Sequence, residues 1–103
     1  MVKKTNSVEF KNVALEGCAV VDFSATWCGP CKMLAPVLEQ ISEEMTEVNF
    51  FNVDVDEAPA LAADYGITNI PALVVLKDGA VQNVLVGFKP APVLTSEIQA
   101  ALN

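Results

Sequence analysis

Two cysteines separated by two residues, Cys28 and Cys31, stand in the run WCGPCK. A cysteine thiolate is both a metal ligand and the nucleophile of disulfide exchange. A close pair can therefore bind a metal, close a structural loop, or pass two electrons reversibly. A zinc site needs four ligands, usually two such pairs or added histidines. This chain has no histidine, and its one other cysteine, Cys18, lies ten residues upstream. A structural disulfide across two intervening residues closes a small loop, and such loops stabilise little. The missing histidine also removes Ser-His and Cys-His nucleophile pairs. Proton transfer here falls to a carboxylate, a lysine, the single tyrosine or a cysteine.

The elements around the pair sharpen the choice. Residues 18–23, CAVVDF, form an apolar run broken only by Asp22, the pattern of a central strand covered on both faces. After the motif, Leu34, Val37, Leu38, Ile41 and Met45 recur at helical spacing. Pro36 inside that pattern removes one backbone donor and predicts a kink. A strand, a short Cys-x-x-Cys loop and a helix then follow one another. Cys28 falls at the helix N-terminus, where unpaired N–H groups and the helix dipole favour negative charge. A thiol there is more acidic than the usual value of about 8.5. Cys31 lies about one turn further on, where the N–H groups are already used. The spacing predicts one reactive, exposed cysteine and one shielded, resolving cysteine.

The rest of the chain alternates in kind. Residues 8–10 read as a short strand, and residues 12–16 as a helical turn ended by Gly17. Residues 48–55 read as a strand, and 58–65 as a short helix stopped by Gly66. Residues 72–76 and 81–86 read as a hairpin turned at Asp78-Gly79. A last helix over 92–102 places Leu94, Ile98 and Leu102 on one face. This order predicts an α/β protein, a mixed sheet between helices. No linker, repeat or low-complexity stretch divides residues 1–103, which predicts one domain.

Composition excludes several functions. Hydrophobic residues make up 52% of the chain, enough for a packed core. Six basic residues against 13 acidic ones give a net charge of −7. That balance argues against nucleic acid and against anionic lipid. The first ten residues lack the apolar stretch of a secretory signal, and no run is long enough for a membrane helix. The expectation is a soluble cytoplasmic protein, in a compartment where structural disulfides are rare.

The segments VVDFSATWCGPCKMLAPVL, NVDVDEAPALAADYGI, IPALVVLKDG and VGF closely resemble the thioredoxin family, across nearly the whole chain. The resemblance implies the thioredoxin fold, a central mixed five-stranded sheet flanked by four helices. It implies a general protein disulfide reductase, acting on disulfide-containing target proteins and most simply a monomer. No bound cofactor or metal is implied; electrons would come from NADPH through a thioredoxin reductase. By position, Cys28 resembles the attacking thiol and Cys31 the resolving thiol. Gly29 and Pro30 resemble the dipeptide that tunes the reduction potential. Asp22 resembles the buried carboxylate behind the resolving cysteine, and Pro71 the cis-proline facing the disulfide. Trp27, Ile70 and Gly87 then fall on the apolar rim that receives the target.

Two positions depart from the family pattern. Many members carry tryptophan where this chain has Ser24, and lysine where it has Asn52. Asp22 would therefore lack its usual cationic neighbour. Two other functions compete. Related oxidases and isomerases usually carry a histidine between the cysteines and a secretory signal. A binding module would keep the fold and leave the cysteines incidental. Gly-Pro between the cysteines adds no cation to the thiolate, so the expected dithiol is a good reductant.

Overall fold

The apolar run around Asp22 becomes the middle of a sheet. The structure is a computed structural model that describes residues 1–5 and 16–103. Its elements are β1 (Val2–Lys4), β2 (Cys18–Ser24), α1 (Gly29–Glu44), β3 (Val48–Asp54), α2 (Pro59–Asp64), β4 (Ala72–Lys77), β5 (Ala80–Val86) and α3 (Ala91–Leu102). The strands form one five-stranded sheet in the order β1-β3-β2-β4-β5. β1, β3 and β2 run parallel, whereas β4 pairs antiparallel with both β2 and β5. The sheet is thus mixed and five-stranded, as expected.

Three differences from the sequence reading stand out. The strand expected at residues 8–10 and most of the helical turn at 12–16 lie outside the described residues. Glu16 and Gly17, which are described, form a bend. Among the described residues the fifth strand is Val2–Lys4, a segment with no strand signal in the sequence reading. It is three residues long and holds two lysines, as suits a protected sheet edge. Among the described residues the helices number three, where four were expected. Finally, α1 continues through Pro36 as one helix over its 16 residues.

Strand alternation divides the core in two. Ala19, Val21 and Phe23 of β2 pack on the α2 side with Leu61 and Ala62. Val20 points to the opposite side, toward Leu34, Leu38 and Ile41 of α1 and toward Leu94 and Ile98 of α3. Burying each of these large apolar side chains contributes roughly 1.5–3 kcal/mol. By the same alternation Asp22 shares the face of Val20, beneath α1. The hairpin between β4 and β5 turns at Asp78 (φ 50°) and Gly79 (φ 83°). Two successive positive φ values are what a two-residue primed turn requires.

Candidate active site

The cysteine pair sits where β2 hands the chain to α1. Cys28 is the N-cap of α1, with extended backbone (φ −88°, ψ 112°). The Cys31 N–H donates to Cys28 Sγ at 3.2 Å. Pro30 in the first turn costs no hydrogen bond, because the N–H it lacks would have had no intrahelical partner. Cys28 and Cys31 are joined as a disulfide, with Cα atoms 5.3 Å apart. Cys18 is free and half-buried at the start of β2.

The two cysteine residues hardly differ in overall exposure. Cys28 is 5% and Cys31 4% exposed, so the exposed Cys28 expected from sequence is absent in the oxidised form. The reason is packing. Both cysteines form a small apolar cluster with Ala25, and Val55 and Ile70 lie against it. What distinguishes them is the helix end. Cys28 receives an N–H and the positive end of the helix dipole, which lower the energy of a thiolate.

Ile70 leads into Pro71 through a cis peptide bond. The Pro71 carbonyl accepts a hydrogen bond from the Gly87 N–H at 2.8 Å. Gly87 has φ 92°, a conformation that side-chain-bearing residues rarely adopt. This bond ties the loop before β4 to the end of β5. Trp27 is 69% exposed, unusually open for an indole. Its Nε1–H donates to Asp56 Oδ2 at 2.8 Å, which orients the ring. Asp56 is held in turn, its N–H donating to Asp54 Oδ1 at 2.8 Å.

Asp22 lies on the other side of the pair. It is 3% exposed, and its Oδ1 is buried with no hydrogen-bond partner among the described residues. Its Oδ2 accepts from Asn52 Nδ2 at 3.2 Å. Burial pushes the Asp22 carboxyl up to about 6 from an ordinary 3.8, against the hydrogen bond from Asn52, which lowers it. Asp22 and Cys31 both line a cleft of about 370 Å³ that opens between β1, β3 and α1. A carboxylate that titrates near neutrality and shares a cleft with a cysteine can exchange protons with its reduced thiol, directly or through water.

A reversible disulfide at a helix N-terminus, a cis-proline loop against it and a perturbed carboxylate behind it fit the thioredoxin pattern. The comparisons decide the matter. The thioredoxin family model matches residues 1–100. The chain belongs to the thioredoxin family. It is 46% identical to the thioredoxin of Bacillus subtilis over 94 residues, 90% of either chain. It is 44% identical to that of Listeria monocytogenes over 91 residues, 87% of this chain and 88% of the relative. A solved chain from work on thiol resolution in yeast mitochondrial 1-Cys peroxiredoxin, via the glutathione and thioredoxin systems, superposes with a TM-score of 0.87. It is 35% identical and covers 96% of this chain and 94% of that one.

This family member is a protein-disulfide oxidoreductase with a redox-active cysteine pair. The fold gathers the residues singled out from sequence into three groups. Trp27, Gly29 and Pro30 are exposed beside the pair, Ile70 packs against it from the loop before β4 and is followed by the buried Pro71, and Asp22 sits under α1. Gly87 joins Pro71 through the backbone. Sequence reasoning missed two contributors. Asp56 lies 29 residues from Trp27 with no periodic relation to it. Ser24 was noted only as a missing tryptophan, yet it accepts a hydrogen bond from Asn52 Nδ2 at 2.8 Å.

Proposed function

We propose that this thioredoxin-family protein reduces disulfides of target proteins by the following sequence. The Cys28 thiolate attacks one sulfur of the target disulfide. A Cys28–target bond forms, and the second target sulfur leaves as a thiolate that takes a proton from water. Asp22 accepts the proton of Cys31. The Cys31 thiolate then attacks Cys28 Sγ, forming the intramolecular disulfide as the Cys28–target bond breaks and the first-attacked target sulfur leaves as a thiolate. Two thiols of this protein are oxidised and one target disulfide is reduced. Gly29 and Pro30 set how readily the pair is reduced. Trp27, Ile70, Pro71 and Gly87 receive an extended target segment through apolar contact and backbone hydrogen bonds.

The pair is recharged by a thioredoxin reductase carrying electrons from NADPH, with no cofactor held by this chain. The 103 residues act as one domain, monomeric and cytoplasmic, without nucleic-acid or membrane partners. No helix among the described residues is long and apolar enough to cross a membrane, and the net charge of −7 disfavours polyanions.

The observation that carries this reading is the Cys28–Cys31 disulfide at the N-terminus of α1, packed against Ile70. Reduction of insulin disulfides by dithiothreitol, followed by turbidity, tests it. Catalytic amounts of the protein are expected to accelerate precipitation, and reductase with NADPH to replace dithiothreitol. An uncatalysed time course in both arms would sink the proposal.

The assignment of roles has its own test. Brief treatment of the reduced protein with iodoacetamide at neutral pH is expected to label Cys28 about tenfold or more faster than Cys31 or Cys18. Reactivity follows the thiolate, which the helix end favours at Cys28. Peptide mass spectrometry reads the result, and dominant labelling of Cys31 would reverse the roles.

A further inference from the structure

Asp22 is embedded in a hydrogen-bonded group that the thiol chemistry above does not use. Asn52 of β3 pairs in register with Asp22 of β2 on one side and with Lys4 of β1 on the other. Ser24, two residues past Asp22, faces the same side of the sheet. Asn52 Nδ2 donates to Ser24 Oγ at 2.8 Å, to Asp22 Oδ2 at 3.2 Å and to the Asp22 carbonyl at 3.3 Å. The shortest of the three is the bond to Ser24.

That geometry makes the two carboxylate oxygens unequal. An asparagine amide has a donor end and an acceptor end, and only the donor end suits a carboxylate. The Asp22 carbonyl and Oδ2 can only accept and so require the nitrogen to face them, and Ser24 Oγ accepts from that same nitrogen at the shortest distance, tethering it in place. Oδ2 is engaged, while Oδ1 is buried with no hydrogen-bond partner among the described residues. A buried, unpartnered carboxylate oxygen is costly as an anion and therefore the better place for a proton.

We propose that Ser24 and Asn52 are positioning residues for the resolving step: they pin Oδ2 of Asp22 and present Oδ1 to the proton of Cys31. The proposal rests on the reading of Asp22 as the proton acceptor. In the step, the Cys31 S–H bond breaks and an Oδ1–H bond forms; the Cys31 thiolate attacks Cys28 Sγ, the Cys28–Cys31 bond forms, the Cys28–target bond breaks, and the target sulfur leaves as a thiolate. No electrons leave the protein–target complex. The proton later passes to water through the cleft that Asp22 and Cys31 share. The group beside Asp22 is a neutral amide, itself hydrogen-bonded to a serine.

Two measurements on the full chain test this. The first follows single-turnover release from a preformed mixed disulfide, from acid to mildly alkaline pH. The second follows the Asp22 carboxyl by carbon NMR in the oxidised protein. The variants are Ser24→Ala, Ser24→Thr, Asn52→Ala and Asp22→Asn. The other charged groups lining the cleft are Lys4, Lys32, Glu39, Asp54 and Glu57. All five remain in every variant, so a changed titration reports the hydrogen bonds.

Asn52→Ala is expected to move the Asp22 midpoint upward, because the one interaction favouring the anion is gone. It is also expected to slow release about tenfold, the scale of one hydrogen bond to a charged group, even where Asp22 is fully ionised. Ser24→Ala moves both readouts the same way by less, and Ser24→Thr restores them. Parental titration and release in Asn52→Ala, with Asp22→Asn slow, would overturn the positioning role and leave Asp22 as the base. Parental release from Asp22→Asn would remove the proton-acceptor reading and this proposal with it. Should Asn52→Ala fail to fold, parental behaviour of Ser24→Ala overturns the proposal by itself.

Discussion

Cys31→Ser is expected to arrest the protein as covalent complexes with its targets. In the proposed sequence Cys31 attacks Cys28 from one helical turn away, with the Cα atoms 5.3 Å apart. Well-oriented intramolecular groups act at effective concentrations reaching roughly 10⁵ M or more. An external thiol at about millimolar concentration cannot compete with that, so release slows by several orders of magnitude. Cys28→Ser removes the nucleophile instead, abolishing activity without forming complexes. Non-reducing gels of each variant mixed with a disulfide-bonded protein separate the two cases. Mixed disulfides from Cys28→Ser, or none from Cys31→Ser, would invert the mechanism.

The second large effect concerns Asp22→Ala, which should stabilise the oxidised protein at neutral pH while slowing its chemistry. The folded protein holds this carboxyl at about 6 against an ordinary 3.8, chiefly through burial. A raised acid pKa means that folding favours the protonated form. Below the unfolded value the parent carries no penalty. As pH rises from about 3.8 through 6 the penalty grows, reaching about 3 kcal/mol once Asp22 is ionised. Alanine removes that penalty, and Asn52 Nδ2 keeps its bonds to Ser24 Oγ and to the backbone carbonyl of residue 22, so a net gain of roughly 2–3 kcal/mol is expected at pH 7. The advantage vanishes in acid. Denaturant melts across pH read both features.

The kinetic half runs the other way. Removing a positioned general base typically slows proton transfer about 10²-fold or more. Release from the mixed disulfide should then recover as pH approaches the ordinary thiol value of about 8.5, where Cys31 ionises unaided. Unchanged stability together with an unchanged resolving rate would make Asp22 a bystander.

Much of this was legible beforehand because it is local. Helical spacing from Leu34 to Ile41, the apolar run of β2, the Asp78-Gly79 turn and the stop at Gly66 each depend on neighbours a few residues away. All appear in the fold within a residue or two of their expected bounds. β1 was missed because an edge strand of three residues with two lysines has no periodic signal, and only its pairing with β3 defines it. α1 runs on through Pro36, with Leu34, Leu38 and Ile41 all buried against the sheet.

The sequence by itself determined the chemistry. Two cysteines with two residues between them, at the start of a helix and in a chain without histidine, permit thiol exchange and little else. Which groups surround those sulfurs was decided by tertiary structure. The burial of Cys28 alongside Cys31, the Trp27–Asp56 bond across 29 residues and the Ser24–Asn52–Asp22 group all depend on strands and loops distant in sequence. The physical reason is range. Turns, caps and helical periodicity are set by covalent neighbours, whereas desolvation and hydrogen-bond partners exist only once the sheet register places side chains from separate strands side by side.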